Sequence, residues 1–406
     1  MKALVRVLAV GVLVALGVLG ALELRSRLAR GAGPVVAPPP TAAVPDPIPA
    51  RRPAFAAAPG GERGEAVGAA DGRTSSARRA RNERAIAALE QGDYEAAVQL
   101  FEQCHAEAPA VEVFARNLAE ALARLAAREH ESADEELRAR ALERLSRAVQ
   151  LHPERDDLAD LLARWRRTAE AEQDFWRKLT DHFELSFDGT REELMAGTAP
   201  LELELERAYH EFGDAFGAYP VEDGRPRIRV VLYRRAAFDS VTGLGDWAAG
   251  VFDGTVRVPV TDLAREGEHL VQVLRHELMH AFVQEMGGAQ VPGWLNEGLA
   301  QLYEAPSPAG RRATVDAARR KLADQTLFSL ERLRGSLASW SDTAEIELAY
   351  AQSVAFVAFV ERMYGERVLF EMVTGCKAAR TPEQVFRARI GDGLERVLVD
   401  FLAARD

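Results

Sequence analysis

The spacing of apolar residues changes character along the chain, and each change marks a different kind of segment. Val7 to Leu22 is an uninterrupted apolar run with Lys2 and Arg6 ahead of it. Sixteen such residues are marginal for a membrane span, and Leu4 and Val5 extend the run only if Arg6 snorkels to the interface. Over residues 31–81 the pattern lapses into GPVVAPPPTAAVPDPIPARRP and then Gly/Ala/Arg-rich sequence. Proline at that density blocks helix and sheet, and little apolar surface is left to bury, so a disordered tether is expected. From Asn82 to about residue 172, alanine and leucine return at helical spacing. Arg227–Tyr233 and Gly250–Val258 are short β-type runs, the second interrupted by an Asp253-Gly254 turn. Helical patterns follow around 264–287, from Trp294 onward, in the charged stretch Arg311–Leu322, through the apolar stretch containing Tyr350, and in two short segments that close the chain. The resulting expectation is a 1–30 signal segment, a 31–81 tether, an all-α segment at 82–172, and an α+β domain at 174–406 with a small sheet beside its helices.

The N-terminal run fits two readings, a signal anchor and a cleaved signal peptide. Val18-Leu19-Gly20 is a weak cleavage site, and no Ala-x-Ala triplet follows it. Arg25, Arg27 and Arg30 after the run complicate the orientation, because positive charge prefers the cytoplasmic side. The expected placement is membrane-anchored with the bulk outside the cytoplasm, which would be the periplasm in a Gram-negative bacterium. Secretion after cleavage is the alternative.

Charge narrows the partners. The net charge is −11, but residues 1–81 hold 12 Lys/Arg against 5 Asp/Glu, leaving 39 against 57 in the remaining 325. A folded part that acidic has no general footprint for phosphates, so nucleic acid is not an expected partner. Two cysteines, Cys104 and Cys376, exclude a disulfide-stapled scaffold and a four-cysteine zinc site, and are expected as free buried thiols.

Within 82–172, Gly92 to Pro109 (GDYEAAVQLFEQCHAEAP) resembles the second helix of a tetratricopeptide repeat. Gly92 and Tyr94 open the turn, Ala97 and Cys104 take the small packing positions, Phe101 takes the large one, and Pro109 ends the helix. Ala141, Ala148 and Pro153 lie 44 residues after Ala97, Cys104 and Pro109. The usual period is about 34, so the excess implies a loop or helix extension around Glu129–Glu136. Leu158–Trp165 supplies a closing helix. The segment is either a docking surface for a protein partner or a helical spacer.

His276-Glu277-Leu278-Met279-His280 is the feature that carries chemistry. Four residues along an α-helix rotate about 400° and rise about 6 Å, so His276 and His280 share one face a turn apart. Two imidazoles at that spacing can take two corners of a tetrahedral Zn²⁺, and Glu277 falls beside the metal where its carboxylate can hold a water. A third ligand is needed. Glu285 points roughly 140° away from His280 on the same helix. Glu297, in Trp294-Leu295-Asn296-Glu297-Gly298, begins the next helix, and Glu304 lies about 10.5 Å beyond it. Glu297 is therefore the expected third ligand. His269 is expected at the surface, and His105, His130, His152, His182 and His210 show no metal spacing.

The pair HExxH and NEGLA, over about residues 174–406, resembles the gluzincin metallopeptidases, the thermolysin-like group. The resemblance implies a zincin-like fold binding one Zn²⁺ per chain through His276, His280 and Glu297, with Glu277 as general base. It also implies that Asn296 hydrogen-bonds a ligand histidine. Tyr350, 53 residues after Glu297, would donate a hydrogen bond to the oxyanion. An edge strand at Gly250, Val251 and Phe252 would pair with an extended peptide. The Gly-x-Met-Glu-Asn pattern of gluzincin aminopeptidases is missing, which favours an endopeptidase acting on a peptide or protein substrate. The competing readings are a catalytically inactive, tethered interaction protein working through its helical repeats, and a hydrolase of cell-wall cross-links.

Overall fold

A computed structural model describes residues 69–403 apart from 131, 133, 222–226, 245–247 and 338–339. The expected signal segment and most of the tether lie outside the described residues. Two compact units divide between Gln173 and Asp174.

The first unit, among the described residues, is all helix: α1 (Ala69–Glu90), α2 (Tyr94–Glu107), α3 (Glu112–His130), α4 (Glu135–Leu151) and α5 (Asp156–Ala171). Each helix packs on its neighbour in sequence. Alanine at Ala97, Ala141 and Ala148 lets the helices approach closely, and Phe101, Leu145, Leu162 and Trp165 fill the space between them. Gly92 sits at φ +81° in the α1–α2 turn, a conformation that costs a side chain. Asp93 caps α2 by accepting from the Ala96 amide. Cys104 is buried and free. The extension expected near Glu129–Glu136 is taken up by α3, which runs to His130 before a short link.

One boundary is corrected. The tether was expected to reach residue 81, but α1 begins at Ala69. Its alanines and arginines are good helix formers. Arg78 and Arg81 both pair with Glu107 of α2, and Asn82 is buried against Asn117. These are contacts with residues further along the chain, invisible to a reading of local composition.

The second unit builds a five-stranded mixed sheet in the order β1-β2-β3-β5-β4. The strands are β1 (Phe175–Leu179), β2 (Phe183–Asp188), β3 (Ile228–Tyr233), β4 (Val251–Phe252) and β5 (Val256–Pro259). Helices α6 (Glu192–Gly197) and α7 (Ala199–Phe216) cross from β2 to the parallel β3, and α8 (Arg235–Thr242) crosses from β3 to the parallel β5. The outer pairs are antiparallel. Strands β1 and β2 and helix α7 have no counterpart in the sequence reading, although Phe183, Leu185 and Phe187 alternate in β2 and all three are buried.

Helices α9 (Leu263–Gly287), α10 (Gly293–Tyr303), α11 (Pro308–Leu322), α12 (Thr343–Tyr364), α13 (Glu366–Lys377), α14 (Pro382–Ile390) and α15 (Leu394–Ala403) follow the sheet. The unit is thus mostly helical with one small mixed sheet, α6, α7 and α8 crossing between its strands and the other helices following it. The start of α10 is held by a loop, because the Gly293 and Trp294 amides donate to the carbonyls of Arg334 and Leu333. A Cβ at Gly293 would stand 2.1 Å from the Gly335 oxygen, so only glycine admits this contact. Helix α12 is long and apolar enough to cross a membrane, but every residue from Ala351 to Val360 is buried inside the unit. It is therefore a core helix.

Candidate active site

Two helices and one hairpin build the site. His276, Glu277 and His280 stand on α9 and Glu297 on α10, and the two helices pack together. The His276 and His280 rings lie 4.8 Å apart at 84°. Both turn Nε2 toward one carboxylate oxygen: Glu297 Oε2 is 3.8 Å from His276 and 3.6 Å from His280. Donors bound to a tetrahedral metal at about 2.0–2.1 Å stand roughly 3.4 Å from one another. Each Nε2 is therefore within a few tenths of an ångström of the spacing from Glu297 that such a set requires.

The far side of each imidazole fixes its proton. His280 Nδ1 lies 2.9 Å from Asn296 Oδ1, an oxygen that can only accept. His276 Nδ1 lies 3.0 Å from Glu304 Oε2. With a proton held on each Nδ1, Nε2 is the nitrogen that a metal at the position shared with Glu297 would bind, displacing the second proton that the metal-free His276 ring carries. The donor set of two imidazoles and one carboxylate thus fits Zn²⁺ both in chemistry and in orientation.

Glu304 is the residue that the sequence reading passed over. Its distance from Glu297 along the helix excludes it as a ligand beside Glu297, yet it sits at the end of α10 where the helix has passed over His276. Seven residues on a helix return to nearly the same face, and that periodicity was the available signal. Two residues weighed and set aside as ligands do lie elsewhere: Glu285 is bonded to Lys377, and His269 is exposed on α9.

The electrostatics are those of carboxylates gathered around two partly buried imidazoles. Burial opposes charge on His276, but the hydrogen bond to Glu304 and the carboxylates of Glu277 and Glu297 outweigh it and push the imidazole up to about 9. Burial pushes the Glu277 carboxyl above its usual range, against the pull of both imidazoles. Tyr350 lies on α12 and is raised well above an ordinary phenol, by burial first and then by the charges of Glu297 and Glu277. The phenol therefore keeps its proton.

Close packing sets Tyr350 and Glu297 relative to each other. Gly298, next to Glu297, lets α10 lie directly on α12: a Cβ there would stand 2.7 Å from the Ser353 carbonyl oxygen and 2.5 Å from Val357 Cγ2. Ser353 is one turn from Tyr350.

The hairpin lies beside Glu277. Strand β4 is the sheet edge, pairing Val251 with Arg257 and Phe252 with Val256 on β5. Gly254 takes φ +94° in the turn, as an Asp-Gly pair allows. Gly250 faces Glu277: a Cβ on it would be 3.0 Å from Glu277 Oε1 and 2.8 Å from Val273 Cγ1. The structure therefore brings Val251 and Phe252, with Gly250 just before them, to what is the edge of the sheet among the described residues, and sets Gly250 beside Glu277. It also gathers His182 and His210, both set aside on spacing, around Glu206.

Residues 240–403 match the family model described as the Peptidase MA superfamily. That superfamily includes the gluzincins and is typically zinc-dependent. The matched span runs from the end of α8 through α15 and contains β4, both histidines, Glu277, Glu297 and Tyr350. It supports a metallopeptidase-like domain. No curated protein matches the chain.

Proposed function

We propose that the chain is a zinc-dependent endopeptidase that hydrolyses peptide bonds outside the cytoplasm. The observation that carries this reading is the convergence of both Nε2 atoms on Glu297, with Glu277 alongside and the sheet-edge strand β4 next to it. His276, His280 and Glu297 would hold one Zn²⁺, leaving a coordination position open. Bound there, the ion supplies an acidified water and polarises a scissile carbonyl.

The remaining steps belong to the chain's own groups. The edge strand β4 offers backbone amides and carbonyls from Val251 and Phe252 to an extended peptide, aligning it across the cleft. Glu277 accepts the proton of the attacking water and returns it to the leaving amine. Its raised affinity for protons suits a base that must also act as an acid in the same cycle. Tyr350 donates its phenolic hydrogen to the oxygen that gains negative charge as the carbonyl becomes tetrahedral. Asn296 and Glu304 hold the two imidazoles in register throughout.

The tetratricopeptide-like helices would dock a protein partner, and the apolar N-terminal run would tether the enzyme to the membrane unless it is cleaved. The absence of the aminopeptidase pattern from the sequence supports internal cleavage. Glu277→Gln and Glu297→Ala test the reading together, with a peptide library as substrate and zinc measured by elemental analysis. Glu277→Gln should keep one zinc at this centre and lose turnover, whereas Glu297→Ala should lose both. Full turnover by zinc-loaded Glu277→Gln would end the mechanism.

A further inference from the structure

A second set of ligand-type side chains gathers away from the cleft, at the turn between β1 and β2. His182 ends that turn, and Glu206 and His210 stand one helical turn apart on α7. One ligand atom from each lies within 4.8 Å of the other two. We propose that His182, Glu206 and His210 form a second binding site for a divalent transition metal, separate from the catalytic set.

Two of the three donors are already held in place. Glu206 Oε1 accepts from the His182 amide at 3.1 Å, and its other oxygen lies 2.6 Å from His182 Nδ1. The His182 ring is fixed by stacking on Tyr209, with centroids 3.9 Å apart. His210 is the movable arm. It is exposed, and among the described residues its ring meets only other rings: His182 edge-on at 5.3 Å, Tyr209 and Tyr219. Metal binding would take the proton from His182 Nδ1, open its 2.6 Å contact with Glu206 toward the roughly 3.4 Å spacing of a tetrahedral site, and swing the exposed His210 imidazole inward. A side-chain rotation on a solvent-facing helix surface accomplishes that swing without moving the backbone.

The donor chemistry selects the ion. Two imidazoles and a carboxylate suit zinc, cobalt, nickel and copper, and match poorly the all-oxygen shells of calcium and magnesium. The open solvent side leaves room for water to complete the shell. Such a site would exchange its metal more readily than one buried on all sides.

The placement gives the ion a structural consequence. It would join the β1–β2 turn to α7, and α7 grips the helix that carries the catalytic histidines. Glu204 and Glu211 of α7 bind the buried guanidinium of Arg275, the residue before His276. The stack from His182 through Tyr209 continues to Phe282 on α9, at 5.4 Å. A metal here fastens the support of the catalytic helix and contributes no group to the reaction.

The test is a zinc count on the full-length, tag-free chain, stripped with chelator and titrated with Zn²⁺ against a chromophoric competitor at micromolar free metal. Wild type should take up two equivalents. His210→Ala, an exposed position, and Glu206→Gln, which keeps the side-chain shape, should each take up one, and so should Glu297→Ala. The pair His210→Ala with Glu297→Ala should take up none. Zinc should also raise the melting temperature of Glu297→Ala and fail to raise that of the double variant. If His210→Ala and Glu206→Gln both bind as much zinc as wild type, or if wild type binds its second equivalent only at millimolar metal, the site does not exist. Loss of one equivalent in His210→Ala with none lost in Glu297→Ala would sustain this site and sink the catalytic assignment instead.

Discussion

Gly298→Ala sets two physical effects of opposite sign against each other in one methyl group. Gly298 lies inside α10 with helical neighbours on both sides, so alanine there should stabilise the helix by about 0.8–1.0 kcal/mol on propensity alone. The same methyl would stand 2.7 Å from the Ser353 carbonyl oxygen, 3.0 Å from its carbon and 2.5 Å from Val357 Cγ2. Ordinary contact begins near 3.4 Å, so the α12 backbone would have to withdraw by about 0.7 Å, and Val357 by more. Val357 is buried on a helix whose neighbours are buried too, so no slack absorbs the shift. Overpacking of that kind costs about 1–3 kcal/mol, with backbone contacts at the upper end, so the net outcome is destabilisation. The withdrawal would also separate Tyr350 from Glu297, and an ångström-scale misplacement can cost about 10²-fold in rate. Urea unfolding of the purified chain, followed by near-ultraviolet circular dichroism, reads the first effect. Turnover with zinc saturated reads the second. A Gly298→Ala chain that is more stable than wild type and fully active would show that the α10–α12 contact does not set the site.

Tyr350→Phe should lower kcat by about 10²–10³ with little change in KM, since the lost bond forms chiefly as the oxyanion develops; an equal loss in the binding of an uncleavable peptide would contradict that assignment. Glu304→Ala removes the acceptor that orients His276 and should weaken zinc binding by about 10–100-fold, measured by chelator competition. Asp188, at the end of β2, gives an acid-stability prediction. Burial raises its carboxyl, but hydrogen bonds from Thr190 and Arg234 outweigh that and hold it below the usual carboxylate range. Its contribution is therefore complete above about pH 4 and is lost as pH falls through the lowered folded value. Asp188→Asn should be less stable than wild type at pH 7, with the gap closing on acidification; a gap independent of pH would refute the linkage. Phe101→Ala, at the centre of the helical unit's core, should cost about 3–5 kcal/mol, read by circular dichroism as earlier melting of helix.

Much of the geometry of the candidate site was legible because its information is local. A helix repeats its face every three to four residues, so His276 and His280 are committed to one side by their spacing alone, and Glu277 is carried along with them. Glu297 could be chosen because so few carboxylates follow at a useful distance, and Asn296 came with it through the family pattern. The β4–β5 hairpin announced itself through Asp253-Gly254, since a tight turn needs a residue that accepts positive φ. The start of α1 was misplaced for the complementary reason: its helix is held by Glu107 and Asn117, residues more than two dozen positions away.

The sequence by itself determined which atoms share a helix face, where turns fall and which segments bury an apolar side. Those properties depend on backbone geometry over a few residues. The tertiary structure decided how α10 crosses α9, and so whether Glu304 reaches His276. It also decided how closely α12 approaches through Gly298, and which strand is left at the sheet edge beside Glu277. His182 and His210 make the same point. Twenty-eight residues apart, they have no common periodicity, and only the packing of the β1–β2 turn on α7 brings them to one carboxylate. Crossing angles and turn placements are set by the summed packing of many side chains, and no short window of sequence contains that sum.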